Sequence, residues 1–203
     1  MNYSVVTLPT TRAPLRRLLV VWHRWLGLGS SVLLAVAGLT GAAFYIPAPK
    51  SVREVVEHLH VNLMIPGVGA WIVIAATVVA VILELSGLYL WWPRRNWKVR
   101  WRSGWRLAAY DLHNLLGVAL LAVMLFLAGT ALGRVAVRPV FPPSSIIVKG
   151  TNALHTGLRF PWPIQVVYAV GSLGFLVQGI TGVAMWWPQR GRPSSRPGLS
   201  GGG

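Results

Sequence analysis

The sequence predicts an all-α integral membrane protein, a four-transmembrane-helix bundle built as a two-fold internal repeat of helix pairs. Composition is the first observation behind this. Of the 203 residues, 54% are hydrophobic and only 11% charged, and four apolar runs approach the roughly 20 residues that cross a hydrocarbon core of about 30 Å. The second observation is self-similarity. His23-Arg24-Trp25-Leu26-Gly27 and His113-Asn114-Leu115-Leu116-Gly117 both read His-x-x-Leu-Gly, and Thr40 and Thr130 follow them at one interval, in a constant register of ninety residues. A second register of ninety-five relates His60 to His155, Pro66 to Pro161, Gly87 to Gly182, Trp91-Trp92-Pro93 to Trp186-Trp187-Pro188 and Arg95 to Arg190. A fixed offset of this kind constrains how the segments relate in space.

Residues 1–16 form a polar to basic N-terminal segment. The first span runs over 18–46 and ends at Pro47 and Pro49, which cannot continue a helix. A connection over 48–65 carries Ser51-Val52-Arg53-Glu54, the pattern of a capping box, and predicts a short surface helix. The second span covers 66–92, opened by Pro66. The loop from Arg94 to Arg106 interleaves Arg and Lys with Trp97, Trp101 and Trp105, a mixture suited to the lipid headgroup region. The third span covers 107–133. A connection rich in proline (Pro139, Pro142, Pro143) leads to Leu154-His155-Thr156-Gly157, then to a fourth span over 163–187 and a flexible tail over 191–203. The membrane domain is thus 17–190, with repeat units of about 17–95 and 107–190.

The chain has no cysteine, which excludes disulfides, iron–sulfur clusters, thiolate metal sites and covalent haem attachment. Its net charge of +15 would suit nucleic acid in a soluble protein. Here most Lys and Arg residues sit in short segments between apolar runs, where they set topology, and no nucleic-acid partner is expected. Thirteen of the nineteen cations fall in the N-terminal segment, the central loop and the C-terminal segment. That excess places both termini in the cytoplasm. Each repeat unit contains two spans, so its two copies are parallel.

On this topology His23 and His113 lie at the cytoplasmic ends of the first and third spans, and His60 and His155 on the outer side before the second and fourth. Taken singly, each could be an interfacial or helix-capping residue. Two symmetric pairs, one per membrane face, instead match two bis-histidine haems, because imidazole ligates haem iron and a helix bundle can hold a flat cofactor between facing ligands. Ionisable groups in a bilayer are costly and usually have a task. Gly27, Gly38, Gly41, Gly117 and Gly129 would let helices approach a flat ring or one another. Arg24, Arg106 and Arg159 are candidate partners of haem propionates. His58, whose counterpart is Ala153, is expected to be a solvated loop residue. Asp111 is expected to pair with an arginine of the basic loop. Glu84 lies within the second span opposite Gly179, and is expected to be a neutral or hydrogen-bonded structural acid, or else part of a proton or quinol site.

The phrases His23-Arg24-Trp25-Leu26-Gly27 with Gly38-Leu39-Thr40-Gly41, Ser86-Gly87-Leu88-Tyr89-Leu90-Trp91-Trp92-Pro93-Arg94-Arg95, Leu112-His113-x-x-x-Gly117 and Leu154-His155-Thr156-Gly157 resemble the PepSY-associated transmembrane family. The resemblance covers 15–190. It implies an inner-membrane protein of bacteria related to ferric siderophore reductases that hold haem between histidines. Members commonly carry periplasmic PepSY domains between spans; outer loops of twenty to thirty residues leave no room for one here, so the resemblance is to a short form whose outer face a partner would complete.

The function expected is therefore a di-haem b cytochrome that moves electrons across the cytoplasmic membrane. Its donor would be a cytoplasmic protein or quinol, and its acceptor ferric iron or a periplasmic partner, which would make it a membrane-bound ferric reductase component. His23 with His113 and His60 with His155 would be the axial ligands. Two rival readings are a quinone-linked cytochrome b subunit, favoured by Glu84, and a haem-free membrane anchor or assembly subunit. No nucleophile–base pair or carboxylate dyad suggests hydrolysis.

Overall fold

The computed structural model describes residues 12–92, 95 and 97–187. The segments 1–11 and 188–203, including the tail, and Pro93, Arg94 and Asn96 of the basic loop lie outside the described residues. Among those described the chain is all helical: α1 Arg12–Ala43, α2 Lys50–Asn62, α3 Gly69–Trp91, α4 Trp105–Ala119, α5 Leu121–Val137, α6 Ile146–Thr156 and α7 Trp162–Trp186, with a 3-10 turn at Trp101–Ser103.

Three of these helices are long and apolar enough to span a membrane: α1 over Pro14–Ala43, α3 and α7. α4 and α5 together meet the same test but bend by 63° at Leu120, so they count as a fourth span only if the bent pair crosses as one. The expectation of one unbroken helix over 107–133 is corrected here. The bend follows Gly117, where the space a Cβ would fill lies 3.2 Å from the Gln178 amide nitrogen, and that nitrogen donates to the His113 carbonyl at 3.1 Å.

α1 packs most extensively along α7, and α3 and α4 flank that pair. The close approach of α1 and α7 depends on small residues. A Cβ at Gly38 would collide with the Ser172 carbonyl, and one at Gly41 would lie 3.1 Å from the Ser172 hydroxyl. Only 11% of the apolar window of α3 is buried inside the protein. Its outward Val, Ile and Leu side chains would be a large liability in water and are ordinary against lipid. Tryptophans mark both ends of the apolar zone. Trp71 and Trp162 are exposed at one end, and Trp22, Trp92, Trp101 and Trp105 at the other, the arrangement of an aromatic belt.

Two local expectations change. The surface helix over 48–65 forms, but it begins at Lys50 with Pro49 as its N-cap, so the Ser51–Glu54 capping box is not used; the Arg53 N–H bonds Pro49 O instead. Pro66 sits in a turn ahead of α3, which opens at Gly69. The connection before the last helix also contains α6, which the proline content obscured. Ser145 caps it by accepting the Val148 N–H at 3.3 Å. The pairing of the basic loop holds: Asp111, 1% exposed, accepts Arg100 Nε at 2.8 Å, Arg100 Nη2 at 2.7 Å and the Arg100 backbone N–H at 3.0 Å.

Candidate functional site

The four matched histidines come together in two pairs. The ring centres of His23 (α1) and His113 (α4) are 6.4 Å apart with planes at 88°. Those of His60 (α2) and His155 (α6) are 6.3 Å apart with planes at 35°. Two imidazoles on opposite sides of one metal ion, each bonded at about 2 Å with its ring centre about 1.1 Å behind the nitrogen, stand about 6.3 Å apart. Both pairs have that spacing.

The tautomer of each ring follows from its neighbours. Nδ1 of His60 faces the Thr40 hydroxyl at 2.9 Å, Nδ1 of His155 faces Thr130 at 3.2 Å, Nδ1 of His113 faces Thr181 at 3.0 Å, and Nδ1 of His23 faces Ser86 at 2.8 Å. Each threonine donates its own hydroxyl hydrogen to a backbone carbonyl one turn back: Thr40 to Val36 at 2.6 Å, Thr130 to Phe126 at 2.8 Å and Thr181 to Val177 at 2.7 Å. Ser86 has the same arrangement with a longer bond to Leu83, 3.2 Å. A hydroxyl has one hydrogen, so with that hydrogen committed its oxygen accepts, and Nδ1 carries the proton. Nε2 is then the bare nitrogen with its lone pair available, as a metal-ligating imidazole requires.

Ser86 and Thr181 are related by the ninety-five-residue register, and Thr40 and Thr130 by the ninety-residue one. Their positions were in the repeat, but a serine or threonine inside a span has no feature that marks it as a histidine partner. Glycines make room for the first pair: a Cβ at Gly87 would lie 3.3 Å from His23 Cε1, and one at Gly182 would lie 3.6 Å from His113 Cε1. Of the glycines expected near a flat ring, Gly27 and Gly117 line the cavity described next and Gly41 touches His60, whereas Gly38 serves helix packing and Gly129 faces open space.

His23 and His113 open on a cavity of about 670 Å³ between α1, α3, α4, α5 and α7. Its wall is mainly apolar, with a few cations at one end. Arg24 and Arg106 both line it, and so does Arg16, which no sequence motif singles out. Arg24 is exposed and lies over the Trp25 ring at 5.1 Å. Arg159 is exposed in the turn after α6. Glu84 also lines the cavity; it is 9% exposed, and neither carboxyl oxygen has a hydrogen-bond partner among the described residues. Of the two forms expected for it, the hydrogen-bonded one thus finds no partner there, which leaves a polar group on a cavity wall.

Near the other pair stands Arg134, whose Nε donates to Asn152 Oδ1 at 2.7 Å. Burial lowers the proton affinity of His60 and His155, in His155 to about 4 with the Arg134 cation adding to the effect. Both rings are thus neutral near pH 7, the form in which imidazole binds metal. Phe44 stands edge-on to His60 at 5.6 Å. His58 is exposed, on helix α2 rather than in a loop.

Among the described residues no group of three or more His, Cys, Asp or Glu side chains could hold a metal ion. Each pair thus brings two imidazole rings together with no third such side chain beside them among the described residues.

No curated protein and no solved structure matches the chain. A family model does, and its span, residues 43–139, takes in His60, Ser86, His113 and Thr130. That family is the PepSY-associated TM region, the one that the sequence motifs resemble.

Proposed function

We propose that the chain is a di-haem b membrane cytochrome that carries electrons across the bacterial cytoplasmic membrane. In this reading α1, α3, the bent pair α4–α5 and α7 are four spans arranged as a two-fold repeat, with both termini in the cytoplasm. His23 and His113 hold the cytoplasmic haem, and His60 and His155 the outer one. The observation that carries the proposal is the duplicated geometry: two imidazole pairs at 6.4 and 6.3 Å, every Nδ1 occupied by a hydroxyl partner. The cavity, the glycines against His23 and His113, and the cations at one end fit a flat, mostly apolar group with an anionic edge.

When bound, the haem supplies one-electron chemistry at iron. The chain's residues do the rest. The hydroxyls fix ring orientation, the glycines make room for the rings, and each histidine pair would hold one haem, so the protein would act as a conduit rather than a site of bond chemistry. The two sites lie about 25 Å apart along α1, since Thr40, which supports His60, is seventeen residues from His23. Electrons entering on the basic cytoplasmic face would leave toward ferric iron or a periplasmic partner.

The test is the visible absorption spectrum of purified protein from haem-replete cells. Low-spin six-coordinate bands in both oxidation states, with about two noncovalent haems per chain, are expected. A colourless preparation sinks the proposal and favours a haem-free anchor.

A second reading rests on Glu84. Its unpartnered carboxyl on the wall of the cytoplasmic cavity suits a hydroxylated electron donor such as quinol, whose proton it would accept. Quinol-dependent haem reduction that Glu84→Gln abolishes, with dithionite reduction intact, supports that reading; unchanged quinol kinetics rule it out.

A further inference from the structure

The geometry points to Arg16 and Arg106 as a two-armed clamp for the paired carboxylates of the cofactor held by His23 and His113. This rests on the haem reading of that site and adds which residues choose the cofactor's anionic edge, and which way that edge faces.

The two arginines occupy equivalent positions. Arg16 precedes His23 by seven residues and Arg106 precedes His113 by seven, in the ninety-residue register that relates the histidines themselves. Seven residues is two helical turns, so each arginine shares a face with its histidine about 10 Å nearer the helix start. Their anchors match too. Arg16 Nη2 donates to the Leu90 carbonyl at 3.2 Å, and Arg106 Nη2 donates to the Met185 carbonyl at 2.6 Å; Leu90 and Met185 are related by the ninety-five-residue register. Both carbonyls lie in the last turns of α3 and α7, where backbone acceptors have no helical partner and the helix end is partly negative.

Each anchor holds one end of a guanidinium while leaving the planar fork able to face the cavity, which both residues line. The Arg16 Nε–H is buried and has no partner among the described residues, a donor awaiting an acceptor. An unpaired buried donor on a charged group is costly, and a carboxylate across the cavity would satisfy it by a charge-assisted bond. Two cations on opposite walls suit a ligand with two carboxylates on one edge, and that edge would point toward the ends of α3 and α7. Arg24, exposed and lying over Trp25, is not part of this symmetric pair.

The experiment titrates apoprotein carrying His155→Ala, so that only the His23/His113 site binds, with haem b and with haem b whose two carboxylates are methyl esters. Affinity is read from the Soret band. Esterification should weaken binding about a hundredfold, roughly tenfold for each charge-assisted bond removed. With Arg16→Gln and Arg106→Gln added, haem b should bind about as weakly as the ester, and the ester should bind as it does without them. Equal affinity for the two haems, or an unchanged haem b affinity in the arginine variants, overturns the clamp. No binding of either haem instead removes the haem reading on which the clamp rests. Should the double variant lose helical content, Arg16→Gln alone decides, since one cation remains and the preference for haem b over its ester should fall about tenfold.

Discussion

Thr40 stands seventeen residues after His23, yet its hydroxyl oxygen lies 2.9 Å from Nδ1 of His60, at the far end of the helix that carries His23. One helix thus presents a ligand to one site and an orienting hydroxyl to the other. Thr130 repeats the arrangement, following His113 in sequence and meeting His155 at 3.2 Å. The orienting hydroxyls of the second pair thus come from α1 and α5, while His60 and His155 themselves sit on the short helices α2 and α6.

Removing a hydroxyl should therefore disturb one site only. Thr40→Val and Thr130→Val should weaken the haem at His60/His155 by ten- to a hundredfold, the usual effect of losing a histidine's outer partner, and leave the other haem unchanged. Ser86→Ala and Thr181→Val should do the reverse. Haem affinity resolved for each site checks this, and a threonine change acting on both haems alike would contradict it.

Ligand pairing gives a second outcome. His23→Ala and His113→Ala should each lose the same haem, and His60→Ala and His155→Ala the other. The double variant within either pair should still carry about one haem per chain. Pyridine haemochrome counts with redox titration test this, and a folded His23/His113 double variant with no haem would show that the sites are not independent.

The glycines give a third. A Cβ at Gly87 would come within 3.3 Å of His23 Cε1, tighter than ordinary packing, while one at Gly182 would stay at 3.6 Å from His113. Gly87→Ala should displace the ring and shift or broaden the low-spin bands, and Gly182→Ala should change them much less. Equal perturbation by the two variants would mean that these glycines do not set ring position.

Transfer across the bilayer gives the fourth. In liposomes of known orientation the wild type should pass electrons from an internal reductant to an impermeant external ferric chelate. His60→Ala should stop that transfer while its remaining haem still reduces from inside. External reduction at the wild-type rate by His60→Ala would remove the path through His60.

The membrane class, the positions of the apolar helices and the grouping of four of the five histidines into two pairs were legible in the sequence, because each rests on periodicity and on offsets that the chain repeats. His58 fell out since its counterpart is Ala153, and Asp111 could be matched to the basic loop because a two-residue spacing on a helix turns it away from His113. The tertiary structure alone decided the rest. The 63° bend at Leu120 leaves no mark in the apolar run over 107–133, and the bond from Gln178 to the His113 carbonyl joins residues sixty-five apart in sequence. The roles of Ser86, Thr181 and Arg16 depend on contacts between helices sixty or more residues apart. Hydroxyls and guanidinium groups bond wherever a partner comes within about 3 Å, so their type says little about their task until the helices are packed.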